Sequence, residues 1–329
     1  MAETAHIAEQ SAQRDPAGTV PEVPTATYRL QLHRDFTFAD ATRLVPYLRD
    51  LGISHIYVSS FLKARPGSMH GYDIADHNEI NPEIGTWNEF EQFSAASRRV
   101  GIGLILDFIP NHMGIGHADN AAWLDLLEWG RASPYAGFFD INWTPRQPML
   151  RDKLLVPLLG DQYGNVLERG ELEVRFDRDA GSFSVWYFEH RFPLNPATYA
   201  VLLDGIPIAQ RHVAAIGAAD PSGVRGAADD LKQELRRICG SDADVRVRIE
   251  TAVRRVNGKA GDPDSFQDLH RLLEQQAYRL AFWRVAADEI NYRRFFDINE
   301  LAGIRMEEPA VFEQTHRLVG RLIEAGKLD

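Results

Sequence analysis

GIGLILDFIPNHM, residues 101–113, changes character halfway along its length. Leu104-Ile105-Leu106 is an unbroken apolar run. Continuous apolarity, rather than alternation, predicts a strand buried on both faces of a parallel sheet. Asp107, Pro110, Asn111 and His112 follow it directly. Pro110 has no N–H to give to a ladder, so Asn111 and His112 are predicted just past the carboxyl end of the strand. In α/β architectures that end carries the ligand site.

Upstream of this stretch the chain has a matching rhythm. Thr25 to Leu32 (TATYRLQL) mixes β-branched and aromatic residues and predicts a first strand. Phe38 to Leu51 predicts an amphipathic helix with Leu44, Tyr47, Leu48 and Leu51 on one face, a kink at Pro46 and a stop at Gly52. His55 to Ser59 predicts the second strand, Lys63 to Asn81 a long polar loop, and Trp87 to Val100 a second helix with Phe90, Phe93 and Ala96 toward the sheet. Strand and helix alternating in this way specify right-handed βαβ units around a parallel sheet.

Beyond Met113 the rhythm stops. Glu171 to Phe192 alternates in LEVRF and SFSVWYFEHRF, which predicts a hairpin about Asp179-Ala180-Gly181, and Ala214 to Ala260 reads as helical. Phe266 to Glu289 has leucines at helical spacing, and its Tyr278, Phe282 and Trp283 stripe reads as core. A final helix is predicted from Pro309 to Ala325, before Gly326. The expected organisation is therefore a disordered tail (1–24), strands and helices of an α/β domain (25–113), an inserted subdomain (114–265), and a return to the first domain (266–329).

Composition narrows the function. With 329 residues, 44% of them hydrophobic, the chain is longer than one ordinary compact domain and has ample core-forming residues. A net charge of −11 argues against a nucleic-acid or anionic-membrane partner. Cys239 is the only cysteine, so no intrachain disulfide and no cysteine-based metal site is expected. The first residues lack the apolar core of a signal peptide and no run approaches a membrane span, which points to the cytoplasm.

Asp107-Phe-Ile-Pro-Asn111-His112 resembles the first signature region of the α-amylase clan of glycoside hydrolases. Longer blocks at Ala64 to Gly85, Leu127 to Trp143 and Trp283 to Glu307 are similar, more narrowly, to the maltooligosyltrehalose synthases of that clan, in glycoside hydrolase family 13. The resemblance covers about residue 25 onward. It implies the N-terminal part of a TIM barrel with a B-like subdomain inserted after the third strand. It also implies an intramolecular transglucosylation of maltooligosaccharide or linear α-glucan that leaves an α,α-1,1 trehalosyl end. The alternative it leaves open is another α-glucan hydrolase or transglycosylase of the same clan. No cofactor or metal is implied, and a functional partnership with a maltooligosyltrehalose trehalohydrolase is.

His70-Gly71-Tyr72-Asp73 suits such a ligand, because glycine lets backbone approach a substrate and tyrosine stacks on the apolar face of a sugar ring. The candidate substrate-binding residues are His70, Tyr72, Asp73, Asn111, His112 and Arg293; the resemblance makes Tyr72 the stacking wall of subsite −1, His112 and Asp73 its hydroxyl-binding partners and Asn111 a loop-fixing amide. It makes Asp107 a positioning carboxylate. Each also has a bland reading: HGYD as a turn, His112 as a structural imidazole, Asp107 as a loop holder. Arg293, Arg294 and Asp297 either reach substrate or close an internal salt bridge.

Retaining glycosidic chemistry needs a carboxylate nucleophile and a carboxylic acid roughly 5 Å apart. The family's nucleophile lies in a GxRxDHxDG-like block on the fourth strand, and no such block occurs here. Asp329 reads as a helix-to-strand connector. The expectation is a truncated barrel with three of its eight strands, which alone would be marginally stable, aggregation-prone and catalytically inert.

Overall fold

Leu104, Ile105 and Leu106 lie in strand β5 (Gly103–Leu106) of a three-stranded parallel sheet, in a computed structural model that describes residues 23–329. The tail expected over residues 1–24 falls, as far as residue 22, outside the described residues. Strand β2 (His55–Val58) is the centre of the sheet, with β1 (Thr27–Leu30) on one side and β5 on the other. The register pairs Leu30 with Val58 and Val58 with Leu106, so the three carboxyl ends are level. Only Leu104 of β5 is fully buried, which corrects the expectation of a strand covered on both faces. On its outer edge Asp329 donates its N–H to the Leu104 carbonyl at 2.9 Å.

Two helices link these strands. Helix α1 (Phe38–Asp50) opens on a capping box formed by Thr37 and Asp40, and α2 (Trp87–Arg99) on one formed by Thr86 and Glu89. Each box satisfies backbone N–H groups that the first turn leaves without partners. Helix α1 is rotated from the expected face: Phe38, Ala41, Val45 and Leu48 are buried, whereas Tyr47 and Leu51 are exposed. The reason is an aromatic cluster on the Phe38 side, where Phe38, Phe61, Phe90 and Phe93 meet at ring-centroid distances of 5.1–6.3 Å. The last helix, Pro309–Glu324, adds Leu318, Val319 and Leu322 to the same core.

The expected polar loop after β2 is a two-stranded antiparallel ribbon, β3 (Leu62–Ala64) and β4 (Ile74–Ile80). Ile74, Ala75 and His77 face inward along β4, which anchors what composition alone reads as solvated. A short strand β6 (His112–Gly114) follows β5.

The chain divides into two compact units, one running to Gly114 and resuming over Met306–Asp329, the other Ile115–Arg305. The second unit thus runs past residue 265, where the insertion was expected to end. Its α3 (Ala121–Trp129) precedes β7 (Leu154–Leu159) and α4 (Tyr163–Glu168). The predicted hairpin is two strands of a three-stranded antiparallel sheet, β8 (Glu173–Asp177), β9 (Ser182–Tyr187) and β10 (His190–Pro193). Three helices follow, α5 (Pro207–Ala218), α6 (Val224–Ser241) and α7 (Ala243–Val256).

Phe266 to Glu289 begins as a helix, α8 (Gln267–Glu274). It then becomes strand β11 (Tyr278–Phe282), parallel to β7, and a single turn α9 (Ala286–Glu289). Pairing with β7 overrides helical spacing there and holds this segment in the second unit. It also corrects the reading of Trp283 as core: Trp283 is half exposed, while Tyr278 is buried.

Candidate functional site

The level carboxyl ends of the parallel strands bring together residues far apart in sequence. Arg29 on β1, Tyr72 after the β3 strand and Asp107 just past β5 form a closed triangle. The Tyr72 hydroxyl donates to Asp107 Oδ2 at 2.8 Å, and the Arg29 guanidinium donates to the same oxygen at 3.0 Å and to the Tyr72 hydroxyl oxygen at 2.9 Å. A further guanidinium N–H reaches Gln31 Oε1 at 3.2 Å, and the Gln31 amide donates to the His70 carbonyl at 3.2 Å. Burial and the Asp107 acceptor push the Tyr72 phenol above its ordinary pKa, against the pull of Arg29, which favours the phenolate. The Asp107 carboxylate thus ties the Arg29 guanidinium and the Tyr72 hydroxyl together.

Gly71 makes the turn possible. Its φ is +75°, and a Cβ there would sit 2.8 Å from the Ser60 carbonyl oxygen. The His70 ring lies over the Tyr72 ring, centroids 5.8 Å apart and planes 17° from parallel. The two rings make a flat surface at the mouth of the sheet.

Asp73 and His112 face inward. Asp73 is buried and accepts from Ser68 Oγ at 2.5 Å, with Arg65 Nε 3.7 Å from its other oxygen. His112 is 1% exposed. Its Nε2 donates to the Tyr72 carbonyl at 2.9 Å, and its Nδ1 lies 2.7 Å from the side-chain amide of Asn111. Burial holds its pKa below the ordinary histidine value, against the opposing hydrogen bond to Tyr72 and the charge of Asp73. A neutral ring protonated on Nε2 is satisfied if the Asn111 amide turns its NH2 toward Nδ1. Packing and hydrogen bonds within the protein engage both Asp73 and His112, and the His112 bond to the Tyr72 carbonyl fixes the Tyr72 peptide.

Arg29, Gln31 and Ser68 were not singled out from the sequence. For Arg29 the one available signal was an arginine inside the first parallel strand, next to its carboxyl end. Asn111 is exposed beside the platform. Arg293 lies in the second unit, where its Nε donates to Asp140 Oδ2 at 2.5 Å, and Arg294 pairs with Asp297 at 3.1 Å. Both arginines thus close internal ion pairs, and the Arg293 side chain stays largely exposed. Among the described residues no group of three His, Cys, Asp or Glu side chains is placed to hold a metal ion, and no helix is long and apolar enough to cross a membrane.

Residues 40–166 match the family model for the alpha-amylase catalytic domain. A putative maltooligosyl trehalose synthase of Mycobacterium tuberculosis is 33% identical over 311 residues, which is 92% of this chain and 30% of that protein. The solved structure of maltooligosyltrehalose synthase from Arthrobacter ramosus superposes with a TM-score of 0.64 at 31% identity, covering 93% of this chain and 30% of that one. An α-amylase of Bacteroides thetaiotaomicron is 27% identical over 113 residues, 34% of this chain and 16% of its own length. The chain thus spans about 30% of the length of the synthases it matches.

Proposed function

Because the chain is a homologue of the maltooligosyl trehalose synthases and has the α/β glycoside-hydrolase fold of the α-amylase barrel family, we propose that its first unit is an α-glucan platform of such an enzyme. The observation that carries this reading is the Arg29, Tyr72 and Asp107 triangle at the carboxyl ends of the parallel strands. It fixes the Tyr72 hydroxyl, with the His70 ring stacked on the Tyr72 ring, so that a pyranose presents its C–H face to aromatic surface. The hydroxyls of that sugar then lie within reach of Asn111 and the remaining guanidinium N–H groups of Arg29.

The reaction proposed for the whole enzyme is a double displacement within one glucan. A carboxylate attacks C1 of the glucosyl unit next to the reducing end, the bond to the terminal glucose breaks, and a carboxylic acid protonates the departing oxygen. The freed glucose turns in place and its anomeric hydroxyl attacks the same C1, breaking the ester bond to release the first carboxylate and giving up its proton to the carboxylate form of that acid. The product is an α,α-1,1 linkage with no net addition of water, so a reducing end is lost. Such a product suits a trehalohydrolase that cleaves the neighbouring α-1,4 bond.

The 329 residues by themselves are proposed to bind glucan without turning it over. Support comes from Asp107, the carboxylate next to the platform, which accepts from both Arg29 and Tyr72 and so is held as a structural anion. Calorimetry with maltopentaose tests the platform, and a reducing-end assay with maltohexaose tests turnover. Binding that disappears in Tyr72→Ala, with no loss of reducing ends, is the expected result. Loss of reducing ends catalysed by this chain alone would refute the noncatalytic reading, and unchanged binding in Tyr72→Ala would refute the platform.

A further inference from the structure

We propose that the second unit carries a separate glucosyl-binding cavity beside β11, an inference that rests on reading the chain as an α-glucan binder. The cavity has a volume of about 270 Å³, close to the lower end of ligand pockets and suited to a single sugar ring. It lies along the pair β7 and β11, under Tyr163 of α4. Leu155, Leu273 and Leu280 form its apolar floor, and Phe282 and Tyr163 are its aromatic walls. The Tyr163 hydroxyl is tied to His270 Nδ1 at 3.1 Å, which fixes that ring.

The rim decides the ligand class. Glu274, Arg279 and Glu289 converge there, with Glu274 and Arg279 paired at 3.1 Å and both partly exposed. An anion entering the cavity would face two carboxylates, and a cation would face Arg279. A purely apolar ligand would strip water from the Glu274–Arg279 pair and return no hydrogen bond. A neutral polyol ring meets every demand, since its C–H face covers leucine and aromatic surface while its hydroxyls both donate to carboxylates and accept from guanidinium. Trp283, next in sequence, is half exposed with its ring 5.9 Å from Phe282, and the Arg284 guanidinium lies over both rings. This places an aromatic surface where a second glucosyl unit of the same oligosaccharide would continue.

The test is calorimetric titration of the full 329-residue chain with maltotriose. The variants are Arg279→Ala combined with Glu289→Gln, whose side chains lie on the open rim, and Tyr72→Ala, with circular dichroism checking each fold. Two binding sites are expected in the unmodified chain. The rim variant should keep one and weaken the other at least tenfold, and Tyr72→Ala should keep the cavity site. Two unweakened sites in the rim variant, or a single site lost only in Tyr72→Ala, overturn the cavity and leave the platform standing. A single site lost only in the rim variant upholds the cavity and overturns the platform. No binding overturns both. Displacement of maltotriose by choline or by inorganic phosphate overturns the assignment to a neutral polyol.

Discussion

Replacing Arg29 by glutamine removes the cation from the triangle and leaves a shorter, neutral amide. Three hydrogen bonds are at stake, to Asp107 at 3.0 Å, Tyr72 at 2.9 Å and Gln31 at 3.2 Å, together with the guanidinium lying 4.9 Å over the Tyr57 ring. Hydrogen bonds to a charged group contribute ~1.5–3 kcal/mol where solvent is excluded. Here 38% of the Arg29 side chain is exposed against 11% of Asp107, and exposed ion pairs contribute only ~0–1 kcal/mol. A net ~1–2 kcal/mol holding Tyr72 in place follows, which predicts maltopentaose binding weakened by about five- to thirtyfold.

The same substitution has a spectroscopic signature with a definite sign. Arg29 favours the ionised phenolate of Tyr72, so removing it must raise the phenol pKa further above the ordinary value, with Asp107 left as the neighbouring charge. Carbon-13 labelling of the tyrosine ring Cζ lets this one phenol be followed by NMR during a pH titration. Arg29→Lys should bring the titration partway back without restoring full affinity, because an ammonium supplies charge but not the planar fork. A Tyr72 phenol that titrates at the same or a lower pH in Arg29→Gln would falsify the triangle as the device that orients the platform.

Gly71→Ala forces a side chain onto a backbone with φ of +75° and toward the Ser60 carbonyl, so a loss of ~1–3 kcal/mol is expected, and an unchanged urea midpoint would contradict it. Ser68→Ala deprives the buried Asp73 carboxylate of its hydroxyl donor and should cost ~1–3 kcal/mol, read in the same assay. Burial, with the charges of nearby His112 and His316, lowers the His77 pKa to about 4, whereas an unfolded histidine titrates near ~6.5. Between those values the unfolded chain takes up a proton that the folded chain refuses, so stability falls as pH drops through that window, by ~3 kcal/mol in all. His77→Phe should flatten this acid limb in melting curves, since among the described residues Nε2 of His77 has no hydrogen-bond partner to lose; parallel curves for the two proteins would rule the mechanism out.

The parts of the fold legible in sequence were those governed by neighbours along the chain. The stop at Gly52 and the hairpin about Asp179-Ala180-Gly181 depend on residues a few positions apart. Helix α1 shows where this ends. Leu44, Tyr47, Leu48 and Leu51 are as regular a stripe as Phe38, Ala41, Val45 and Leu48, and only the distant rings of Phe61, Phe90 and Phe93 select the second. The strand β11 is a stronger case. Tyr278 to Phe282 continues a leucine pattern that is helical through Leu273, and its conversion to a strand depends on β7, far earlier in the chain.

At the site, residue types were legible and their duties were not, for a physical reason. A sequence displays polar groups as though all were available, whereas a fold uses most of them on one another, because a buried polar group left unpartnered is costly. Asp73, Asp107 and His112 each have the chemistry to hold a sugar hydroxyl. Ser68, Arg29, Tyr72 and the Tyr72 carbonyl reach them first. What the platform presents outward is the stacked pair His70 and Tyr72, the amide of Asn111 and part of Arg29. In the role proposed for it, such a surface would select the shape of a pyranose face more than its charge. It follows that substitutions of the three inward groups act on a ligand only by moving Tyr72, and that their effects on glucan binding should be strongly non-additive with Tyr72→Ala.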